Sequence, residues 1–513
     1  MMKKGLCTIL LAALLAMPSV YAAEEVRIVT DKSVYVAGEY IWCAASVYED
    51  GRLSDTSAIA YVELVSQSGL TLSAKIALTG GRGCGIIPIP VSVPTGNYYI
   101  LGYTALSQKA ECRTLSVFNT GSKTRIKEGI VLSDKPMGEP EGLTELPDDI
   151  ELNVTREDGS ILLELRNKGG ESRTLSLSVC EDDALRAPAG IFEASVKPGD
   201  AEADGEIVRA RVYGKDASKV VESPWLTAVI SCPGSPSDTY TGKISPDGTI
   251  VFKTNNIYGD RDLVCEIIGT DGESLDCRFG PVSPFQVPEG LKPVALELSY
   301  AMKDALLARH LSAVNAKPGA DTLFEFLPKR DNLLLSMEDC TVYHLDDFIR
   351  FNTVDDIVRE LIPNLGVRRV HGRRQLKLTL ADALVKTRTD NVLAMLDGVP
   401  VSNHENLLAF DALALSDVQV FPYFYALGGT VFSGVVNFVT TRHDMSALRF
   451  NDNVRILDFK GCSYPVAMKT PSSLSGTPAG RTLLWQPLVS IAAGETVAFR
   501  VPDTGAELII RAD

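Results

Sequence analysis

From Val26 to Phe118, apolar and polar positions alternate in short runs broken by turn residues. Val26-Arg27-Ile28-Val29 gives way to Ala37-Gly38-Glu39, then to an apolar run from Tyr40 to Val47, then to Glu49-Asp50-Gly51. A period of two with turns every ~8–12 residues predicts an antiparallel β-sandwich. A Pro-, Gly- and Glu-rich linker follows at 135–149, and alternation resumes at 150–155, 161–166 and 174–180. These runs predict a second, smaller sandwich ending near Pro198. A third β unit is expected over 207–279, with strands at 207–213, 226–232, 249–253 and 263–268 and a turn at Ser245-Pro246-Asp247-Gly248-Thr249.

Beyond a breaker-rich stretch at 281–293 the period lengthens. Leu296, Tyr300, Leu307, Leu311 and Val314 share one face of a helix that Pro318-Gly319 stops, with Met302 off that face. Such a stripe predicts plain packing. From Tyr343 to His443 helix and strand signals alternate. Thr353 can cap a helix over 354–361, with Asp355 and Asp356 favouring its positive end and Pro363 closing it. An apolar strand, Asn391 to Leu396, runs into Asp397-Gly398, a tight reversal because glycine tolerates positive φ. A second helix over 407–415, a strand over 417–421, a Gly428-Gly429 turn and a last strand over 434–441 complete the module. The tail reads as one more small β domain, with strands at 454–459, 482–485, 496–501 and 507–511.

The first residues form a secretory signal: Lys3 and Lys4, an apolar run from Leu6 to Met17, Pro18, and a cleavage site after Ala22 or Ala23. The run falls short of the roughly 20 residues that cross a bilayer, and no later segment is long enough, so no transmembrane segment is expected in the mature chain. Cys7 sits at the front of this run and not behind it, where a lipid-attachment cysteine would have to follow, so no lipid anchor is expected there. The 513 residues allow several cores, at 45% hydrophobic and 22% charged. The net charge of −15 becomes about −17 without the leader's two lysines. No basic cluster interrupts it, which disfavours nucleic acid. Ten cysteines become nine on export, at spacings of neither a metal framework nor a disulfide knot. Cys265 and Cys277, flanking one expected hairpin, are the first pair to test, with buried free thiols the alternative.

Three segments carry resemblances. Asp31-Lys32-Ser33-Val34-Tyr35-Val36-Ala37-Gly38-Glu39-Tyr40-Ile41-Trp42, Ala60-Tyr61-Val62-Glu63-Leu64 and Thr95-Gly96-Asn97-Tyr98-Tyr99 resemble the second domain of the alpha-2-macroglobulin family. That family's thioester is not carried, since Ile86 and Ile87 follow Gly83-Cys84-Gly85 where Glu and Gln are needed. Cys84 is therefore expected as a small residue of the sandwich core. The turn at 245–249 is similar to carboxypeptidase regulatory-like domains. Leu396-Asp397-Gly398-Val399-Pro400, Leu415-Ser416-Asp417-Val418-Gln419-Val420, Leu427-Gly428-Gly429 and Ser433-Gly434-Val435-Val436-Asn437-Phe438-Val439-Thr440 resemble, in order, the plug domain of TonB-dependent outer-membrane receptors. Phe421-Pro422-Tyr423-Phe424-Tyr425 departs from that pattern. A receptor plug precedes a barrel of about 22 strands of ~9–11 residues each. Only 70 residues follow here, so no barrel is expected. The order resembles envelope proteins of the Bacteroidetes type.

The expected architecture is multi-domain and mainly β: a leader (1–23), a macroglobulin-like antiparallel β-sandwich (24–120), a linker (121–149), a small sandwich (150–200), a regulatory-like β domain (201–283), a linker with a helix (284–338), an α+β plug-like domain (339–445) and a C-terminal β domain (446–513).

Chemistry is sparse. His310, His344, His371, His404 and His443 show no ligand spacing, and His404-Glu405 lacks the second histidine of a zinc-protease motif because Leu408 stands there. Ser433 has no glycine two residues earlier, and Gly81-Arg82-Gly83-Cys84-Gly85 leads into a strand, not a phosphate-binding helix. No enzyme, metal or cofactor is expected. Candidate partner contacts are Asp397, Gly398, Pro400, Tyr423, Phe424 and Tyr425, although alternate rings of the aromatic run could instead pack inward. Arg368-Arg369 with Arg373-Arg374 is the one local basic group, either a solvated hairpin tip or a contact for an acidic partner or a lipid headgroup. The expected role is a non-catalytic scaffold or adaptor, exported to the periplasm or outer-membrane periphery, that binds an outer-membrane protein or transporter component. A non-covalent protease-binding protein and a hydrolase with an inter-domain site are the alternatives.

Overall fold

The computed structural model describes residues 23–513 except 67–68, 122–129, 134–143, 183–184, 186, 188–190, 235–236, 270–275, 287, 290, 292–295, 300–302, 316–321, 324–339, 371, 382–390, 444, 446 and 469–479. The expected signal sequence, Cys7, Met302, His371 and the Pro318-Gly319 stop lie outside the described residues. The fold is mainly β, as the alternation predicts. It divides into two compact units: Met1–Ala203 with Gln286–Leu323 and Ala467–Asp513, and Asp204–Phe285 with Phe324–Val466.

In the first unit, the strand Tyr40–Glu49 lies between Glu24–Thr30 and Arg82–Pro88, antiparallel to both. The facing sheet runs Ile191–Ser195, Lys109–Phe118, Gly96–Tyr103, Ile59–Ser66, Gly69–Ala77. Inward residues of both sheets, among them Val26, Ile28, Ile41, Val47, Val62, Ile76 and Tyr98, form one continuous core. Cys84 lies in its predicted strand opposite Ala44 but is only half-buried, because Gly83, Gly85 and Ile87 alternate onto the buried side. Asp31, from the macroglobulin-like run, is fully enclosed. It accepts from Tyr35 Oη at 2.7 Å, the Trp42 amide at 3.1 Å and Thr482 Oγ1 at 2.6 Å.

That last bond bears on the tail. The expected separate domain over 446–513 is not formed. Thr496–Pro502 pairs with Ser160–Asn167, while Thr482–Ile491 and Leu508–Ala512 flank Arg173–Glu181. Strands from 144–181 and 482–512 thus share one core around Leu163, Leu177, Leu484 and Ile510. The physical reason is completion: three amphipathic strands alone leave a sheet face uncovered, which a second layer buries. Residues 446–466 belong instead to the second unit, where Arg455–Lys460 pairs with Asp260–Ile268.

The helix Lys303–Asn315 corrects a second expectation. Leu306, Arg309 and His310 face inward, whereas Leu307, Leu311 and Val314 are exposed. Arg309 wins the interior because a partner waits there: Nε lies 2.9 Å from Glu39 Oε1, and Nη2 donates to Glu39 Oε2 and to the Val34 carbonyl, both at 3.0 Å. Leu296 belongs to a strand, Leu296–Ser299, and not to this helix.

The second unit opens with an antiparallel sheet ordered Cys277–Pro281, Ile207–Gly214, Thr249–Lys253, Asp238–Ile244, Thr227–Cys232, Asp260–Ile268, Arg455–Lys460. The predicted turn closes as expected, with Gly248 at φ +79° and its amide 2.9 Å from the Ser245 carbonyl. Cys265 and Cys277 do not flank a hairpin: their strands pair with Thr227–Cys232 and Ile207–Gly214 respectively, and both thiols are free and buried. Beside this sheet stands a five-stranded one ordered Thr341–His344, Leu415–Phe421, Val435–Thr440, Leu393–Leu396, Val399–Pro400, with one parallel pair at its centre. Thr353 and Asp356 form a reciprocal capping box on the helix Val354–Glu360. The helix expected over 407–415 begins earlier, at His404, because Asn403 accepts the amides of Glu405 and Asn406. It ends at Leu408, and a separate 3-10 turn, Ala412–Ala414, starts at Asp411.

Candidate functional site

The Asp397-Gly398 reversal is built as its sequence predicts, with both residues at positive φ, +51° and +77°. Its orientation is not. Asp397 is buried and accepts the Thr440 amide and hydroxyl, each at 2.7 Å. Gly398 donates to Asn437 Oδ1 at 2.9 Å, and its carbonyl accepts from Thr239 Oγ1 at 3.3 Å. A Cβ at this position would overlap the Ser237 hydroxyl. Thr239 belongs to the neighbouring antiparallel sheet and Ser237 immediately precedes its strand, so the turn packs along an internal seam, with Asp397 buried and Gly398 half-buried. Val399 and Pro400 are buried with it.

The aromatic run divides. Phe421 and Tyr425 pack with Val229, Leu393, Met395 and Val435 across the same seam. Tyr423 and Phe424 are 42% and 40% exposed. Phe421 braces both neighbours edge-on, its ring centre 5.3 Å from that of Tyr423 and 6.1 Å from that of Tyr425. The hairpin that follows, Tyr425–Leu427 with Thr430–Phe432, is pinned at its turn. Thr227 Oγ1 accepts the Gly429 amide at 3.1 Å and lies 2.9 Å from Thr430 Oγ1, which donates to the Trp225 carbonyl at 2.7 Å. The exposed rings therefore stand on a fixed base.

Between the two sheets of this unit opens a cleft of about 340 Å³. Its apolar lining comes from Ile267, Ile268, Leu393, Ala394 and Phe432, and its polar lining includes Arg373, Gln375, Asn391, Ser402, His404 and Asn453. Pro400 reaches it, whereas Asp397, Gly398 and Tyr423–Tyr425 do not line it. The basic hairpin borders the cleft, and Arg374 is held in an ion pair with Asp355. Trp225, 56% exposed, also lines it. No shared spacing along the chain connects Trp225, Asn391, Ser402 and Asn453; of the lining, the sequence singles out Pro400, His404, Arg373 and Arg374, each on other grounds.

Two titratable groups near the cleft have unusual protonation. Burial pushes the Glu266 carboxyl up to about 7 against the lowering effect of Ser402, whose amide donates at 3.3 Å and whose hydroxyl also donates to Oε1. Glu266 Oε2 has no hydrogen-bond partner. Burial, helped by Arg368, lowers His404 to about 4, so the imidazole is neutral. Its Nδ1 accepts the Leu376 amide at 3.0 Å, which places the remaining proton on Nε2 as a donor.

The other described histidines do not gather. His310 contacts Thr120, His344 lies 2.6 Å from Asp417, and His443 lies 3.7 Å from Asp397. Among the described residues no group of three or more His, Cys, Asp or Glu is placed to hold a metal. No described helix is long and apolar enough to cross a membrane, which says nothing of crossing by strands.

No protein-family model matches the chain, and no curated protein does. Solved structures that match include Escherichia coli alpha-2-macroglobulin in its native conformation, at 9% identity and TM-score 0.17, over 94% of this chain and 23% of that one. Salmonella alpha-2-macroglobulin reacted with methylamine matches at 9% identity and TM-score 0.23, over 97% of this chain and 40% of that one. Dimeric latent PorU from Porphyromonas gingivalis matches at 10% identity and TM-score 0.17, over 49% of this chain and 33% of that one. This chain spans less than half the length of each. Bacterial alpha-2-macroglobulins are thus structural neighbours at low identity, and TM-scores of this size do not establish a common fold.

Proposed function

We propose that this chain is a non-catalytic binding protein of the cell envelope, exported by its N-terminal signal, that engages another envelope protein through the exposed pair Tyr423 and Phe424. The observation that carries this reading is the contrast within one aromatic run: Phe421 is half-buried as a brace while Tyr423 and Phe424 stay 42% and 40% exposed on an anchored base. Large rings held rigidly at a surface lose little freedom on binding and concentrate interface energy. Asp397, Gly398 and Pro400 serve this surface indirectly, by locking the five-stranded sheet to its neighbour. The plug-like order of the module fits a partner at the outer membrane, a barrel or a transporter component.

A non-catalytic reading also suits the cleft. Serine hydrolysis needs a base beside the hydroxyl with a free lone pair. His404 has its Nδ1 occupied by the Leu376 amide and its Nε2 protonated, so it can take no proton. Glu266, the group that does touch Ser402, is held as the neutral acid up to about pH 7, and a protonated carboxyl takes no further proton.

Site-specific photocrosslinking from position 424 in intact cells tests the proposal. One discrete adduct with an outer-membrane protein is expected, reduced at least about tenfold by Tyr423→Asp in a crosslinker-bearing chain. A chain that fractionates as a free periplasmic monomer with no adduct overturns it.

A further inference from the structure

The cleft of the second unit has a lining that the aromatic surface does not explain. Five amide-bearing residues line it, Gln375, Asn391, Asn403, Asn451 and Asn453, of which Asn403 is engaged as a helix cap and with Asn451. An amide both donates and accepts, as a sugar hydroxyl does, whereas an ammonium or a carboxylate offers only one role. One large ring, Trp225, lines the same cleft with more than half its surface exposed. Its backbone is tethered through Thr430, so the indole starts from a fixed root.

We propose that this cleft binds a saccharide, one or two pyranose units of a glycan, with the C–H face of one ring against Trp225 and its hydroxyls paired to Asn391, Asn453 and Gln375. The Asn391 amide nitrogen is shut from solvent and has no hydrogen-bond partner. The last torsion of an asparagine is soft, so this group turns toward an incoming hydroxyl at little cost. Leaving such a donor unpaired is unfavourable, and a ligand that satisfies it gains the difference. The neutral His404 supplies a further N–H donor that carries no charge. The volume, about 340 Å³, suits one or two sugar rings and lies at the small end of ligand pockets.

The charged groups of the lining are mixed, with Lys219, Arg373 and Arg374 beside Glu405, so phosphate stays among the probes of the test. Arg374 is paired with Asp355, and its backbone amide donates to Glu405 Oε1 at 3.2 Å, which brings a carboxylate to the cleft wall. A sugar hydroxyl can donate to that carboxylate. Hydroxyls and amides match without any net charge.

The chain carries its own probe. Of its three tryptophans, Trp42 and Trp485 are buried and Trp225 is exposed. Full-length mature protein is titrated with a panel of neutral hexose, N-acetylhexosamine and uronic-acid oligosaccharides, alongside unstructured peptides and inorganic phosphate, reading tryptophan fluorescence and binding heat. Saturable binding to at least one saccharide is expected, with a change in emission. Trp225→Ala and Asn391→Ala are each expected to weaken it about tenfold. Trp225→Phe retains part of the affinity because a ring remains. Unchanged melting temperatures in these variants show that folding is intact, and Phe424→Asp is expected to leave saccharide binding as it was, which separates this proposal from the one above. Binding of peptide or phosphate alone, saccharide binding indifferent to both alanine substitutions, or no saccharide binding at millimolar concentration each overturn it.

Discussion

Ser402 turns its backbone amide, at 3.3 Å, and its hydroxyl onto one oxygen of Glu266, joining the entry to the helix His404–Leu408 with the strand Asp260–Ile268. The other carboxyl oxygen has no partner. The folded protein therefore favours the neutral acid, and burial lifts its pKa to about 7 from the ordinary 4.5. Between those values the unfolded chain has released the proton and the folded chain keeps it, so stability falls as pH rises through that window and levels off above about 7. Glu266→Gln keeps the acceptor for Ser402 and removes the charge. It should stabilise the second unit at pH 8 by up to roughly 3 kcal/mol and leave it unchanged near pH 4. Denaturant unfolding at the two pH values, with a probe in that unit, checks this; an equal shift at both excludes the ionisation as the cause.

Arg309 and Glu39 behave in the opposite sense. Burial alone would raise Glu39, but the charges of Arg309 and Lys32 outweigh it and hold the carboxyl at about 2. A depressed carboxyl contributes stability that is present above about 4.5 and lost as pH falls through 2. Arg309→Ala leaves that carboxylate enclosed without its main partner, at a cost of about 3 kcal/mol. Acid unfolding of the first unit, followed by circular dichroism, should then begin at higher pH than in the parent. A double variant with Glu39→Gln should recover part of the loss.

Gly398 combines a positive φ of +77° with a close approach to Ser237. Gly398→Ala should destabilise by roughly 1–3 kcal/mol. Adding Ser237→Gly removes the overlap and leaves the backbone strain, so it should restore only part of the stability. Full restoration in thermal melts would show that the turn tolerates an L-residue.

Thiol reactivity offers a test of burial. Burial pushes Cys180 and Cys277 up to about 11 and Cys112, Cys232 and Cys265 up to about 12. Cys84 and Cys340 are the half-buried thiols among the described residues. A thiol reagent at pH 7.5 should label these two within minutes and the buried ones only on unfolding. Mass spectrometry of the labelled peptides reads the outcome, and rapid labelling of Cys265 or Cys277 would contradict the sheet that encloses them.

Local chemistry made much of the architecture readable in advance. The alternation around Val26, Tyr40 to Val47 and Ile161 marks strands because side chains of an extended chain point to opposite faces in turn. Thr353 with Asp356 announces a helix start, and Asp397-Gly398 a reversal, because hydroxyls, carboxylates and a missing Cβ act on backbone groups two or three residues away. The candidate site was legible only in fragments: the aromatic run was visible, the division between Phe421 and Tyr423 was not.

What the sequence by itself determined was which segments form strands, helices and turns, since those choices rest on neighbours along the chain. Only the tertiary structure decided what each segment faces. Thr482–Ile491 pairs with Arg173–Glu181 across some 300 intervening positions, Arg309 turns inward to meet Glu39, and the Gly398 carbonyl accepts from Thr239 of a neighbouring sheet. The cleft joins Trp225, Asn391 and Asn453 in the same way. Burial, ion pairing and pocket geometry depend on groups brought together by packing, and no period or spacing along a chain records which distant segment will cover a given face.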